Sequence, residues 1–500
     1  MITSNNNLNV FRGPDALKKF LNPDNNPPVP LVEIPCELNP YFDDGVHICA
    51  KCMNFLPLGN VKSLPAYNIL LEEDQRGGLV GIDNLIENSS GNTVFSLAVI
   101  GRLFGIQNTK AIVSHEVTWG KLQLLRLLGT DVFVNEEPIC PDPNDKNSGI
   151  HLAKNIAKGK GWFNPGQYDN EANPKAHEKW TGPQIWEQTE GSVSIFCAGL
   201  GTTGTMLGVG KYLKSKSKNI RTVGVTRKAN NPVPGVRTST LLREIAFDWK
   251  MYVDHTQEIG TKESFELSLR LCRHGLMVGP SSGFALAGLL AFLKEQKELG
   301  QLDNFRNTDG KIVAVFICPD CPLPYLDEYF EYLDESHFPK IENEGLLINK
   351  PDTKKMKAPA PIELHEIKAE EAYDLLYSVP KKTLWQIVNE QKNIPLNKDL
   401  IIIDVRTDQE FQHFHIPGSQ HVELQKLSRY LPKLQKEAKG KKVLFVCKSG
   451  NRSGIATQMA LSRGVDALNL TGGVTEWSRL NLPRIRPSVC INAHSNDMRL

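Results

Sequence analysis

Four times along this chain an apolar run breaks into a loop rich in Gly, Ser, Thr or Asn that opens a helix. The loops are Pro57-Leu58-Gly59-Asn60-Val61-Lys62, Asn88-Ser89-Ser90-Gly91-Asn92-Thr93, Gly199-Leu200-Gly201-Thr202-Thr203-Gly204-Thr205 and Cys447-Lys448-Ser449-Gly450-Asn451-Arg452. Between about 30 and 338, short apolar runs alternate with amphipathic stretches, the mark of an α/β fold. Lys110-Ala111-Ile112-Val113 and Val193-Ser194-Ile195-Phe196-Cys197 read as strands, and the run Ser282 to Leu293 as a mostly buried helix.

The fourth loop carries the sharpest chemistry. The strand Lys442-Val443-Leu444-Phe445-Val446 leads into Cys447, and a helix follows from Gly454. A cysteine there meets backbone N–H groups converging at a helix N-terminus, which stabilise a thiolate or the outer sulfur of a persulfide. Arg452 follows Cys447 by five positions, closing a six-residue ring sized for sulfur. One residue more would give the roomier cradle that phosphatases use. The third loop offers N–H groups, threonine hydroxyls and a helix dipole to a single phosphate. It is not a P-loop, because no Gly-Lys-Ser/Thr follows, and it does not match a dinucleotide fingerprint.

Five hundred residues imply two or three domains, and an apolar content of 40 % is ample for packed cores. A formal charge of +2 argues for neither a nucleic-acid nor a membrane partner, and no apolar run is long enough to span a bilayer. Residues 1–7 lack the features of a signal peptide and read as a polar, frayed arm. Ten cysteines without a secretion signal point to free thiols in a reducing, cytoplasmic setting. The charged, Pro-rich stretch 349–361 reads as linker. The expected organisation is an arm (1–27), a large α/β domain (28–338), a linker (339–361), a small α/β domain (362–486) and a tail (487–500).

The small domain resembles the rhodanese (sulfurtransferase) family. Cys447 to Ser453 matches its C-x-x-G-x-R-S loop, and Asp404-Val405-Arg406, His415-Ile416-Pro417-Gly418-Ser419 and Thr471-Gly472-Gly473 through Trp477 match three further segments in order. The resemblance implies that Cys447 carries sulfur as a persulfide, cradled by Lys448, Ser449, Gly450, Asn451 and Arg452.

The large domain resembles the cysteine synthase and cystathionine β-synthase family, fold-type II enzymes of two α/β subdomains dependent on pyridoxal 5′-phosphate. The match rests on Ile48-Cys49-Ala50-Lys51 through Lys62, Ser89-Ser90-Gly91-Asn92-Thr93, Gln167 through Pro174, Thr181 through Trp186, Gly201 through Thr205 and Pro319-Asp320-Cys321. It implies Lys62 as the Schiff-base lysine. Ser89, Ser90, Thr93 and Gln167 are then expected at the substrate carboxylate, and Asn92 at the cofactor's ring hydroxyl. Gly201, Thr202, Thr203, Gly204 and Thr205 are expected at the phosphate, with Thr203 where the family has glycine. Cys321 is expected beside the pyridine nitrogen, where a neutral thiol would favour β-elimination over transamination. Arg237 and Arg243 fall where the family lines its active-site mouth, and two readings stand for them: acceptance of an anionic leaving group, or structural ion pairs on a loop and helix. One departure stands out: the Asp-Arg pair that follows the family's lysine is Ser63-Leu64 here.

The leading expectation is β-replacement on an activated serine (O-acetylserine or O-phosphoserine), making cysteine or a related thio-amino acid with sulfur carried on Cys447. Two alternatives stand beside it: a cysteine desulfhydrase whose sulfur the rhodanese domain captures, and a quiet, PLP-like scaffold or sensor. The partners expected are small amino-acid and sulfur substrates and, from the resemblance, a second copy in a homodimer. Cys49/Cys52 and Cys318/Cys321 form two C-x-x-C pairs. They are read as ordinary thiols rather than zinc ligands, because the first pair sits in a strand, where positions three apart face opposite ways.

Overall fold

The computed structural model describes residues 9–114, 117–135, 148–242, 245–343, 346 and 365–486. Residues 1–7, expected as a polar arm, Arg243, most of the expected linker and the expected 487–500 tail lie outside them. The chain divides into two compact units, Met1–Leu346 and Leu347–Leu500.

The first unit contains two sheets. Six strands run in the order β1 (Leu31–Glu33), β2 (Val46–Cys52), β10 (Ile312–Cys318), β7 (Val193–Gly199), β8 (Arg221–Arg227) and β9 (His255–Ile259), parallel except for β1. Four parallel strands form the second sheet, in the order β5 (Asp131–Asn135), β4 (Asn108–Ser114), β3 (Asn84–Asn88) and β6 (Trp162–Phe163). β10 is a continuous apolar run, as a central parallel strand covered on both faces must be. The helix Pro280–Glu298 covers one face of this sheet. Proline stands at its first position, where a missing N–H costs nothing, and most of its length is buried.

Both readings of strands in this unit hold, within β4 and β7. The three loops open the helices Ser63–Gln75, Asn92–Gly101 and Gly204–Lys216. Residues before 28 include a short helix, Ala16–Leu21, and Asp24 accepts from Trp180 Nε1 at 2.8 Å.

The second unit is a five-stranded parallel sheet in the order β11 (Glu366–Ile367), β15 (Ala467–Leu470), β14 (Lys442–Val446), β12 (Leu400–Asp404) and β13 (Gln420–His421). β14 feeds Cys447, and the helix Asn451–Leu461 starts four residues later.

Candidate active site

The lysine loop is pinned to the end of β10. Val61 donates its backbone N–H to Pro319 O at 2.7 Å, and Asn60 bridges Asp320. The buried Asn60 side chain accepts from Lys62 N at 3.0 Å and from Ser96 Oγ at 3.1 Å, while Ser63 Oγ donates to Asn60 O. Asn60 and Ser63, the latter part of the departure from the family's Asp-Arg pair, therefore clamp the turn that presents Lys62. Burial lowers the Lys62 amine to about 8 against the opposing pull of Asp320. An amine so tuned is a usable base near neutral pH.

Lys62 opens onto a cleft of about 620 Å³, including its mouth, shared with Asn92, Gly201, Thr202, Thr203, Thr205, Ser281 and Asp320. The Gly199–Thr205 loop forms one wall. A Cβ on Gly201 would sit 2.1 Å from Gly235 O, so only glycine allows this close backbone approach. Thr203 takes φ +68°, a left-handed conformation unfavourable for a β-branched residue, and its buried hydroxyl has no hydrogen-bond partner. A strained residue with an orphaned donor at the start of a thirteen-residue helix suits an anion. With the lysine opposite, these residues fit pyridoxal phosphate.

Behind this wall lies a residue that sequence reasoning missed. Buried His177 meets Thr205 Oγ1 through Nε2 at 3.2 Å and Thr181 Oγ1 through Nδ1 at 3.0 Å. Burial, with the Lys62 charge, lowers it to about 3, so it stays neutral. A second missed residue, Glu87, lies 2 % exposed at the end of β3. Its carboxylate accepts from Asn88 N at 3.0 Å and from Gln167 N at 3.3 Å. Burial pushes it up to about 7 against those bonds.

None of Ser89, Ser90, Thr93, Gln167 and Arg237, expected at the substrate, lines this cleft. Thr93 Oγ1 donates to Gln167 Oε1 at 2.7 Å, and Gln167 Nε2 donates to Asn88 O, so these two side chains brace the loop from behind. Ser89 Oγ accepts from Gly91 N within its own turn. Ser90 is partly exposed beside it. Arg237 is 1 % exposed with its guanidinium 4.9 Å above the Tyr168 ring, so it is a buried stacking residue and not one at the mouth. Cys321, expected beside the pyridine nitrogen, stands one residue beyond the lining of the cleft. Asp320 and Ser281 line it instead. Burial raises the Cys321 thiol. Cys318 lies in register with Cys52 on β2, a neighbour that neither C-x-x-C spacing indicates.

In the second unit, Cys447 is fully buried at the head of its loop. Its Sγ accepts from Gly450 N at 3.1 Å and from Ser453 Oγ at 3.3 Å. The loop's outward carbonyls are tied off: Val474 N donates to Cys447 O, and Thr475 N and Oγ1 both donate to Lys448 O. Gly473 permits that approach, since a Cβ there would lie 2.2 Å from Cys447 O. Lys448 is partly exposed and Ser449 exposed, at the rim. Asn451 begins the helix, and Arg452 turns from the sulfur to Glu410. Glu410 was not foreseen; it also closes a capping box with Thr407.

The geometry of the first unit fits a pyridoxal-phosphate site of the fold-type II kind, and the second unit holds a cysteine at the head of a strand-to-helix loop. A model of the family described as pyridoxal-phosphate dependent enzyme matches residues 28–305, and one described as rhodanese-like domain matches 383–480. The chain belongs to the pyridoxal-phosphate dependent enzyme family and carries a C-terminal rhodanese-like domain. More particularly, it is cysteine synthase-like. It is 30 % identical over 295 residues to cysteine synthase B of Salmonella typhimurium, covering 58 % of this chain and 89 % of that one. Over 283 residues it is 30 % identical to cysteine synthase B of Escherichia coli, covering 55 % and 86 %. Among solved structures, the cysteine synthase of Entamoeba histolytica superposes with a TM-score of 0.52 at 26 % identity, covering 63 % of this chain and 91 % of that one. The O-acetylserine dependent cystathionine beta-synthase of Helicobacter pylori shares the fold, with a TM-score of 0.51 at 24 % identity over 61 % of this chain and 96 % of that one. Among the described residues no helix is long and apolar enough to cross a membrane.

Proposed function

We propose that the first unit carries out β-replacement on an activated serine, O-acetylserine or O-phosphoserine, to give cysteine or a related thio-amino acid. The second unit would carry the sulfur on Cys447. The observation that carries this reading is the Lys62 amine, lowered to about 8, facing the anion-suited Gly199–Thr205 loop across one cleft. Lys62 and the Gly201–Thr205 loop would hold pyridoxal phosphate, with Asn92 at its ring hydroxyl and Ser281 also lining the cleft. When bound, that cofactor supplies the electron sink that makes the substrate's α-proton removable. Lys62 takes that proton and returns one at the end of the cycle.

On Cys447, a sulfane donor such as thiosulfate transfers its outer sulfur to the thiolate and leaves as sulfite. A thiol reductant then releases the sulfur as sulfide, itself becoming a disulfide. The donors at Cys447 Sγ, Gly450 N and Ser453 Oγ, suit a sulfur that becomes charged during this exchange. We extend the reading to a cytoplasmic homodimer, as the family resemblance implies.

The test is a substrate panel on the cofactor-loaded full chain. O-acetylserine and O-phosphoserine are each offered with sulfide, and cysteine is offered alone. Thio-amino acid formed from an activated serine supports the reading. Sulfide released from cysteine without such synthesis would reverse it, and no turnover of either kind would leave the scaffold alternative.

A further inference from the structure

The cleft holds a carboxylate that the chemistry above does not use. Asp320, 3 % exposed, lies at the end of β10. Its Oδ2 accepts from Asn92 Nδ2 at 2.5 Å and from the Tyr325 hydroxyl at 2.6 Å, while its Oδ1 is buried without a hydrogen-bond partner. Tyr325 leads outward. The Lys121 ammonium sits 4.6 Å from its ring centroid and donates to Glu328 Oε1 at 2.8 Å.

Two lobes meet along this chain of contacts. Asn92 and Lys121 belong to helices of the four-stranded lobe, and Asp320, Tyr325 and Glu328 follow β10 of the six-stranded lobe. Side-chain exposures of 11 % and 8 % make Lys121–Glu328 a nearly buried ion pair. Desolvation offsets much of the attraction in such a pair, yet removing one partner is costly, so its consequence is a fixed geometry more than added stability.

An asparagine carboxamide can present either its donor or its acceptor by turning over. A carboxylate only accepts, so a turned Asn92 would set two acceptor oxygens against each other at hydrogen-bonding distance. We propose that Asp320, steadied by Tyr325 and the Lys121–Glu328 pair, is the positioning residue that locks the Asn92 amide in one orientation toward the cofactor's ring hydroxyl. The inference rests on the cleft being a pyridoxal-phosphate site. Burial raises the Asp320 carboxyl against the opposing Tyr325 and Asn92 bonds and the Lys121 charge.

The test titrates the full chain with pyridoxal phosphate and follows affinity and the position of the visible band. Tyr325→Phe keeps the ring under Lys121 and removes only the donor to Asp320. It should weaken binding roughly fivefold, the worth of one hydrogen bond, and move the band. In an Asp320→Asn background the same substitution should add nothing. Should Asp320→Asn fail to fold, Asn92→Ala serves as the background, and the Tyr325 effect must vanish there too. Lys121→Met should shift the band and Lys121→Arg should not. Wild-type affinity and band in Tyr325→Phe, or an undiminished Tyr325 effect in the double variant, would overturn the proposal. Failure of the underlying site reading looks different: the wild-type chain would take up no cofactor, or Lys62→Ala would retain the wild-type band.

Discussion

Arg452 sends two guanidinium nitrogens to the two carboxylate oxygens of Glu410, each at 2.7 Å. The cation that closes the cysteine loop is thus held from outside it, by a side chain forty-two positions earlier. Burial works against the Glu410 charge, but the Arg452 bonds and charge outweigh it and bring the carboxyl down to about 2.

From that pair follows an acid-range prediction. A carboxyl whose folded pKa lies below its ordinary 4.5 stabilises the fold above that value and loses the effect as pH falls toward 2. Glu410→Gln should therefore destabilise the second unit at neutral pH, and the gap from wild type should close between about pH 4.5 and 2. Thermal melts across this range check it. Sulfur transfer from thiosulfate should also fall, because Arg452 loses its anchor.

Glu87 predicts the opposite slope. Its folded value, about 7, lies above its ordinary 4.5, so the folded state holds the extra proton. Stability should fall as pH rises from about 4.5 to 7, by on the order of 3 kcal/mol at most. Glu87→Gln should flatten that slope. Denaturant unfolding of wild type and variant at pH 5 and pH 8 measures it directly.

Thr203 holds a left-handed φ that glycine adopts without strain. Thr203→Gly should stabilise the cofactor-free chain by about 1 kcal/mol. It should also weaken pyridoxal phosphate, because the hydroxyl that lacks a partner is lost. A melt and a cofactor titration on the same protein separate the two effects.

Much of the site was legible because its chemistry is local. Lys62, the Gly201–Thr205 turn and the Cys447 ring each lie within one short loop, the last readable from its spacing and the first two from the family resemblance. What escaped depends on pairs distant in sequence. His177 matters through Thr205, Glu87 through Gln167, and Glu410 through Arg452. The placing of Cys321 has the same origin. That Asp320 lines the cleft goes with the Asn60–Asp320 bridge, and a matched motif carries no such register. The family resemblance alone places Thr93 and Gln167 at the substrate. The structure uses them on each other.

The most direct test of the central claim supplies sulfur only as thiosulfate. Cofactor-loaded full chain is given an activated serine, thiosulfate and a thiol reductant, and the thio-amino acid is measured beside Cys447→Ser. The account predicts product from wild type, little or none from Cys447→Ser with thiosulfate, and equal product from both when sulfide replaces thiosulfate. Equal product from the two proteins with thiosulfate would contradict it.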